Sequence, residues 1–252
     1  MPIPLQPSVV YGPVHSRRLG TSLGINPLPA GLKVCNFNCV YCQYGSTHGG
    51  WETVSRAARW PAARDLLREI ENALQRLSSA PDHLTIAGNG EPTAHPQFSE
   101  LVDGLVTLRD RYVPAAKTAI LSNASFLHIP SVWSAIQKLD LKILKIDCGD
   151  ERLFLRYNRP TVPIDFENLL RMLNGLEGVT IQAMFTGGRN GNDDAPAVDS
   201  WIRRIEDLSP SMVQIYSLDR DCEDPGLQTV SRGRLEAIRL RLAESSVPSQ
   251  VY

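Results

Sequence analysis

Cys35-Asn36-Phe37-Asn38-Cys39-Val40-Tyr41-Cys42 places three thiols in one short stretch, separated by three residues and then by two. Three ligands are one short of the closed tetrahedral set that a structural zinc takes from protein. An iron-sulfur cube held by three thiolates instead keeps one iron open to a substrate or cofactor, and that iron would be the reactive one. Two other readings compete with the cube. A zinc knuckle would be completed by His48, and a disulfide framework would need paired cysteines. The chain has five cysteines, an odd number, and three of them lie too close together for an ordinary framework. Reduced thiols in a cytosolic protein fit better.

The chain has 252 residues with 42% hydrophobic content, enough to bury a full core in one α/β domain. The net charge is -1, from 26 basic and 27 acidic residues, which excludes an overall electrostatic bias toward nucleic acid or a membrane surface. The N-terminus, MPIPLQPSVV, lacks a basic region followed by a long apolar run, and no stretch approaches the ~20 apolar residues of a membrane span. The expectation is a cytoplasmic protein with no membrane partner.

Residues 1–23 are rich in proline and glycine and read as an N-terminal extension packed on the core, with residues 24–252 as a single domain. Within the extension, Arg17 and Arg18 are adjacent, a pairing that is usually solvated. Ser22 to Val34 reads as the first strand, and the cysteine loop follows its carboxyl end, where parallel α/β architectures place their chemistry. Apolar residues at Leu66, Leu67, Ile70, Ala73, Leu74 and Leu77 mark a helix within 60–77, and Phe98 to Arg111 marks a second.

Between those helices, His83 to Ala87 is a short strand that runs into Gly88-Asn89-Gly90-Glu91-Pro92. Small residues there let a ligand approach the backbone, and a glutamate accepts a hydrogen bond from an ammonium group; the alternative is a plain turn closed by Pro92. A third strand, Lys117 to Leu121, ends at Ser122-Asn123, whose short polar side chains suit a ribose or carboxylate contact, or equally a helix cap or turn. In the fourth strand, Leu141 to Asp147, Lys145 and Asp147 share a face opposite Leu144 and Ile146. That pair reads as an inward polar site, or as a structural ion pair. Cys148 falls on the apolar parity and reads as a packed thiol.

The fifth strand, Val179 to Phe185, alternates so that Thr180, Gln182 and Met184 point inward, and the sixth, Met212 to Leu218, turns Gln214 and Tyr216 inward. Thr186 to Asp194 between them is a glycine-rich turn and the best candidate for a mobile lid. Cys222 reads as incidental, or as a redox or substrate-facing thiol. Helices are expected over about 165–173, 197–208 and 230–243. Six strands alternating with helical stripes argue for a parallel α/β sheet.

The C-x3-C-x2-C spacing with Tyr41 directly before the last cysteine resembles the signature of the radical S-adenosylmethionine (radical SAM) enzymes. The run Tyr11-Gly-Pro-Val-His-Ser-Arg17-Arg18-Leu-Gly20, the Gly88-Asn89-Gly90-Glu91-Pro92 variant and the Asn158-Arg159-Pro160 run resemble one branch of it, iron-sulfur oxidoreductases grouped with wyosine-type tRNA synthases. The resemblance covers essentially the whole chain and implies a partial (β/α)6 barrel. It implies that Cys35, Cys39 and Cys42 hold a [4Fe-4S] cluster whose fourth iron chelates SAM, and that one electron releases a 5'-deoxyadenosyl radical that takes hydrogen from a substrate. It makes Gly88, Asn89, Gly90 and Glu91 the site for the amino group of SAM, and Tyr41, Ser122, Asn123, Lys145, Asp147, Gln182 and Met184 further cofactor-binding candidates. Arg17, Arg18, Arg159 and Tyr216 become substrate candidates, with loop bracing the alternative for Arg159.

The implied partners are an external one-electron donor of flavodoxin or ferredoxin type and a small-molecule, peptide or RNA substrate. A tRNA base is one alternative, although a near-neutral chain lacks the basic footprint of an independent tRNA binder. A non-catalytic iron-sulfur or zinc module is the other.

Overall fold

Two units share the chain: Leu5–Cys35 with Trp51–Ile143, and Asn36–Gly50 with Leu144–Tyr252 and the N-terminal residues to Pro4. The computed structural model describes residues 3–252.

In the first unit, β1 (Val10–Ser16) folds back on β2 (Gly20–Ile25) as an antiparallel hairpin with Ser16 opposite Gly20. The Ser16 hydroxyl staples the turn by accepting the backbone N–H groups of Arg18 and Leu19 at 3.2 and 3.1 Å. The strands then run parallel from β2 through β3 (His83–Ile86) to β4 (Lys117–Ser122), and the order is β1-β2-β3-β4-β5, with β5 at Leu141–Lys145. Around them stand α1 (Gly50–Ala57), α2 (Ala63–Gln75), α3 (Phe98–Tyr112) and α4 (Pro130–Gln137). Helix α2 buries Ala63, Leu66, Ile70 and Leu74, and α3 buries Phe98, Leu101, Val102, Leu105 and Leu108. Both sets follow the helical period, and each buried Leu or Ile contributes about 1.5–3 kcal/mol.

In the second unit the strand order is β5-β6-β8-β10, with β6 (Val179–Met184) parallel to β8 (Met212–Tyr216) and β8 parallel to β10 (Ser249–Val251). The short strands β7 (Thr186–Gly187) and β9 (Gln228–Thr229) pair separately and antiparallel. Helices α5 (Glu151–Tyr157), α6 (Phe166–Asn174), α7 (Ala195–Leu208) and α8 (Arg232–Ala243) start at Asp150, Asp165, Asp194 and Ser231. Each of those side chains accepts a backbone N–H of the first turn, a cap worth about 1 kcal/mol. Every residue of β6 is buried, as expected of a strand covered on both faces.

The architecture is a mostly parallel α/β fold, and the six expected strands are β2, β3, β4, β5, β6 and β8. The first of them ends at Ile25, not Val34. Asn26 turns the chain there, its side chain bonding both the N–H and the C=O of Leu28 at 3.2 and 3.1 Å ahead of Pro29. Strand β1 lies inside the stretch read as an extension, where Gly12 and Pro13 conceal its alternation. Among the described residues, no helix is long and apolar enough to cross a membrane.

Candidate active site

In the first unit the residues leading into Cys35 are fastened to the loop after β3. Val34 N–H donates to Asn89 O at 2.8 Å, and Glu91 N–H donates to Val34 O at 2.9 Å. The contact requires glycine at 90: its φ is +144°, and a Cβ there would lie 1.9 Å from the Val34 carbonyl oxygen. The open face of Gly90 is therefore taken by the chain itself. Gly88 is similar, with Asn26 Oδ1 2.2 Å from where its Cβ would stand. Asn89 is fully buried and its amide pins the N-terminal segment, accepting from Gln6 N–H at 2.7 Å and donating to Gln6 O at 2.9 Å.

Glu91 is buried beside the end of β4. Its Oε1 accepts from the Thr93 N–H at 3.0 Å, the Thr93 hydroxyl and the Ser122 hydroxyl at 2.7 Å, and its Oε2 accepts from Asn123 N–H at 2.7 Å. Burial pushes the Glu91 carboxyl above its usual range, against the pull of those four donors. Ser122 and Asn123 also make the turn chemistry that was their alternative reading, each side-chain oxygen accepting the N–H two residues on. The Asn123 amide reaches Cys35 Sγ at 3.9 Å.

In the second unit, the cysteine loop from Asn36 lies along the segment after α5. Asn38 N–H donates to Arg159 O, Val40 N–H to Tyr157 O and Thr161 N–H to Asn36 O, at 2.8–2.9 Å. On its other side, Glu223 and Asp224 donate their N–H groups to Cys42 O and Val40 O. The Asn158-Arg159-Pro160 run thus backs the loop. Arg159 holds the turn with φ +46° and an exposed side chain whose Nε donates to Arg156 O at 3.3 Å, a bracing geometry.

A buried polar network continues from Cys39. The Asn158 amide nitrogen lies 3.5 Å from Cys39 Sγ, 3.2 Å from the Tyr41 hydroxyl and 2.9 Å from Asp147 Oδ2. The Tyr41 hydroxyl donates to that same Oδ2. Asp147 Oδ1 accepts from Met184 N–H at 2.9 Å and faces Lys145 Nζ at 3.3 Å. Lys145 in turn donates to the Tyr216 hydroxyl at 2.7 Å, and its ammonium stands 4.7 and 5.0 Å from the centres of the Tyr41 and Tyr216 rings. Tyr216 donates to Gln182 Oε1 at 3.2 Å, and Gln182 donates to Gln214 at 3.0 Å. Lys145 and Asp147 are therefore an ion pair within a larger polar cluster that also holds Tyr41, Gln182 and Tyr216; Met184 joins through its backbone. Burial alone would depress the Lys145 ammonium, but Asp147 and Tyr216 outweigh it and raise its pKa. Burial, then Cys42 and Asp147, push the Cys39 thiol up to about 11.

Arg17 is exposed and Arg18 half-buried in the β1–β2 turn, and His48 is exposed. Cys148 is buried as a packed thiol, its Sγ 3.7 Å from Asn158 Oδ1. The segment read as a lid is fastened at Asn192, which is buried and donates to Asp147 O and Met184 O at 2.8 and 2.9 Å while accepting from Thr186 N–H. The polar residue that holds it down was hidden among glycines. Asn158 is the central residue that sequence reasoning did not single out; its place in the Asn-Arg-Pro run was the available signal.

A family model described as the radical SAM superfamily matches residues 32–200. A UPF0026 protein of Helicobacter pylori is 30% identical over 217 residues, covering 85% of this chain and 67% of that protein. The counterpart from a second strain is 36% identical over 152 residues, covering 60% of this chain and 46% of that protein. Among solved structures, TYW1 with a lysine-pyruvate adduct bound is similar at a TM-score of 0.63 and 17% identity, over 90% of this chain and 75% of that one. Streptococcus suis SuiB bound to S-adenosylmethionine is similar at 0.65 and 14%, over 91% and 49%. At such identities the likeness is one of fold. With a family model matching most of its length, the chain belongs to the radical SAM superfamily.

Proposed function

We propose that the chain reductively cleaves S-adenosylmethionine at a [4Fe-4S] cluster held by Cys35, Cys39 and Cys42, and uses the product to take hydrogen from a substrate. The superfamily uses that cluster and SAM, and its members are enzymes that draw on an external electron donor. The donor set suits the cluster: all three cysteines are thiols outside any disulfide and half-buried, and two of them lie within reach of an asparagine amide. Among the described residues, no three His, Cys, Asp or Glu side chains are gathered around a single ion. A cube takes each cysteine on a different iron, so its ligands need not converge on one point.

When bound, the cluster and SAM supply a primary carbon radical, and the protein's part is to orient the reacting groups and exclude water. The observation that carries this reading is the Asn158 amide, which links Cys39 to the Asp147 carboxylate two residues past β5. The cysteine loop and the Lys145, Tyr216 and Gln182 cluster are thereby parts of one network. Lys145, kept as an ammonium by Asp147, is suited to grip a carboxylate or phosphate of SAM or substrate. An ammonium has no lone pair with which to attack a ketone. The lysine-pyruvate chemistry in the TYW1 structure is thus not favoured at Lys145, and tRNA modification gains nothing from that likeness beyond the fold. The electron donor we infer is of flavodoxin or ferredoxin type.

The test is anaerobic reconstitution with iron and sulfide, followed by SAM and dithionite, with 5'-deoxyadenosine measured by mass spectrometry. The wild-type chain should release it, with iron and sulfide near four each per chain, and Cys39→Ala should not. Full cluster content and SAM cleavage in Cys39→Ala would sink the ligand assignment.

A further inference from the structure

We propose that Asn158 is a positioning residue that sets the reduction potential of the cluster through an N–H···S hydrogen bond to Cys39. This rests on Cys39 being a cluster ligand. Adding an electron to an iron-sulfur cluster raises the negative charge on its sulfurs, so a donor aimed at a ligand sulfur stabilises the reduced form more than the oxidised one. Asn158 Nδ2 is 3.5 Å from Cys39 Sγ, and the residue is only 5% exposed, so water does not dilute the interaction.

The amide is held in one orientation from every side. Its nitrogen also donates to Asp147 Oδ2 at 2.9 Å, and its oxygen faces the Cys148 thiol at 3.7 Å. A flipped amide would turn its oxygen toward a carboxylate and a thiolate, both acceptors. Its backbone closes α5, with the N–H donating to Phe154 O at 2.9 Å, and its neighbours Tyr157 and Arg159 accept N–H groups of the cysteine loop itself. Loop and amide therefore move as one piece.

The charge arrangement sharpens the role. The Asp147 carboxylate lies on the far side of the same amide and by itself would oppose an added electron, but Lys145 stands 3.3 Å from it and offsets its charge. Asn158 and the Tyr41 hydroxyl are the polar groups between Asp147 and Cys39, and Asn158 is the one whose amide nitrogen stands 3.5 Å from the sulfur. At Cys35 the comparable donor is Asn123, at the longer distance of 3.9 Å.

The experiment is a dye-mediated redox titration of the reconstituted enzyme, followed by electron paramagnetic resonance, for wild type and Asn158→Leu, with iron and sulfide counted in both. Leucine keeps the volume and removes the donor. With equal cluster content, the midpoint of Asn158→Leu should be more negative, so that at the wild-type midpoint its reduced fraction falls severalfold. Equal content with an unchanged midpoint overturns the proposal. If Asn158→Leu takes up less cluster, Asn158→Ser, whose hydroxyl does not reach Cys39, is titrated in its place: a more negative midpoint supports the proposal and an unchanged one overturns it. Loss of the cluster from both variants also overturns it, since Asn158 would then act on assembly. A wild-type chain that takes up no cluster removes the ligand reading itself, and the iron count separates that outcome from the others.

Discussion

The Tyr41 hydroxyl donates to Asp147 Oδ2, and Asp147 holds Lys145 on its other oxygen. A residue next to the third cysteine is thus tied to a strand end 106 positions later, and the carboxylate between them answers four partners, including Asn158 and the Met184 N–H. Replacing Asp147 with Ala leaves the Lys145 ammonium without its counter-ion. We expect a cost of about 3–5 kcal/mol in urea unfolding. Adding Lys145→Met should recover part of it, and strictly additive losses in the double mutant would show that the two charges are not coupled.

Glycine at 90 is required by the Val34 backbone. Gly90→Ala should lower stability by more than about 4 kcal/mol, because a Cβ there collides with the Val34 backbone at a positive φ. Gly233→Ala is the contrasting case: it sits exposed in α8 with nothing within 4 Å of its Cβ position, and should stabilise by about 0.5–1 kcal/mol. Thermal melts of the two variants should move in opposite directions.

Glu91 accepts four hydrogen bonds, two from Thr93 and one each from Ser122 and Asn123, all of them neutral donors. Glu91→Gln puts an amide NH2 where donors already point, and should cost about 1–3 kcal/mol. Circular dichroism melts read this directly; an unchanged midpoint would mean that the carboxylate is not needed to hold Asn123 in place.

At the far edge of the first unit, Asp140 Oδ2 accepts from the Thr118 N–H at 2.7 Å, the Thr118 hydroxyl at 2.8 Å and Arg109 at 2.7 Å. Burial works against these bonds, but they prevail and lower the Asp140 pKa below 3.8. A depressed carboxyl adds stability above its unfolded pKa and loses it as pH falls through the folded value. Wild type should therefore melt above Asp140→Asn at neutral pH and converge with it below pH 3.8. A gap that persists at low pH would assign the effect to packing. The group is partly exposed, so the gap should be modest.

Some of this was legible from spacing alone. Strands β2 to β6 and β8, the stripes of α2 and α3, and the cysteine loop are patterns of residues a few positions apart, which local geometry imposes on any chain that buries one face. The Lys145 and Asp147 pair was visible for the same reason, as two polar residues on one face of an apolar strand. Strand β1 was not, because Gly12 and Pro13 break its alternation and its pairing is supplied by β2. Nor was the use made of Gly90, since a glycine reads the same whether a ligand or the Val34 carbonyl fills its open face. Asn158 shows the limit most clearly. It lies 119 residues from Cys39, and only the path that returns α5 to the cysteine loop decides that its amide, and not that of another asparagine, meets that sulfur. Contacts between distant segments depend on how the whole core packs, and no local pattern encodes them.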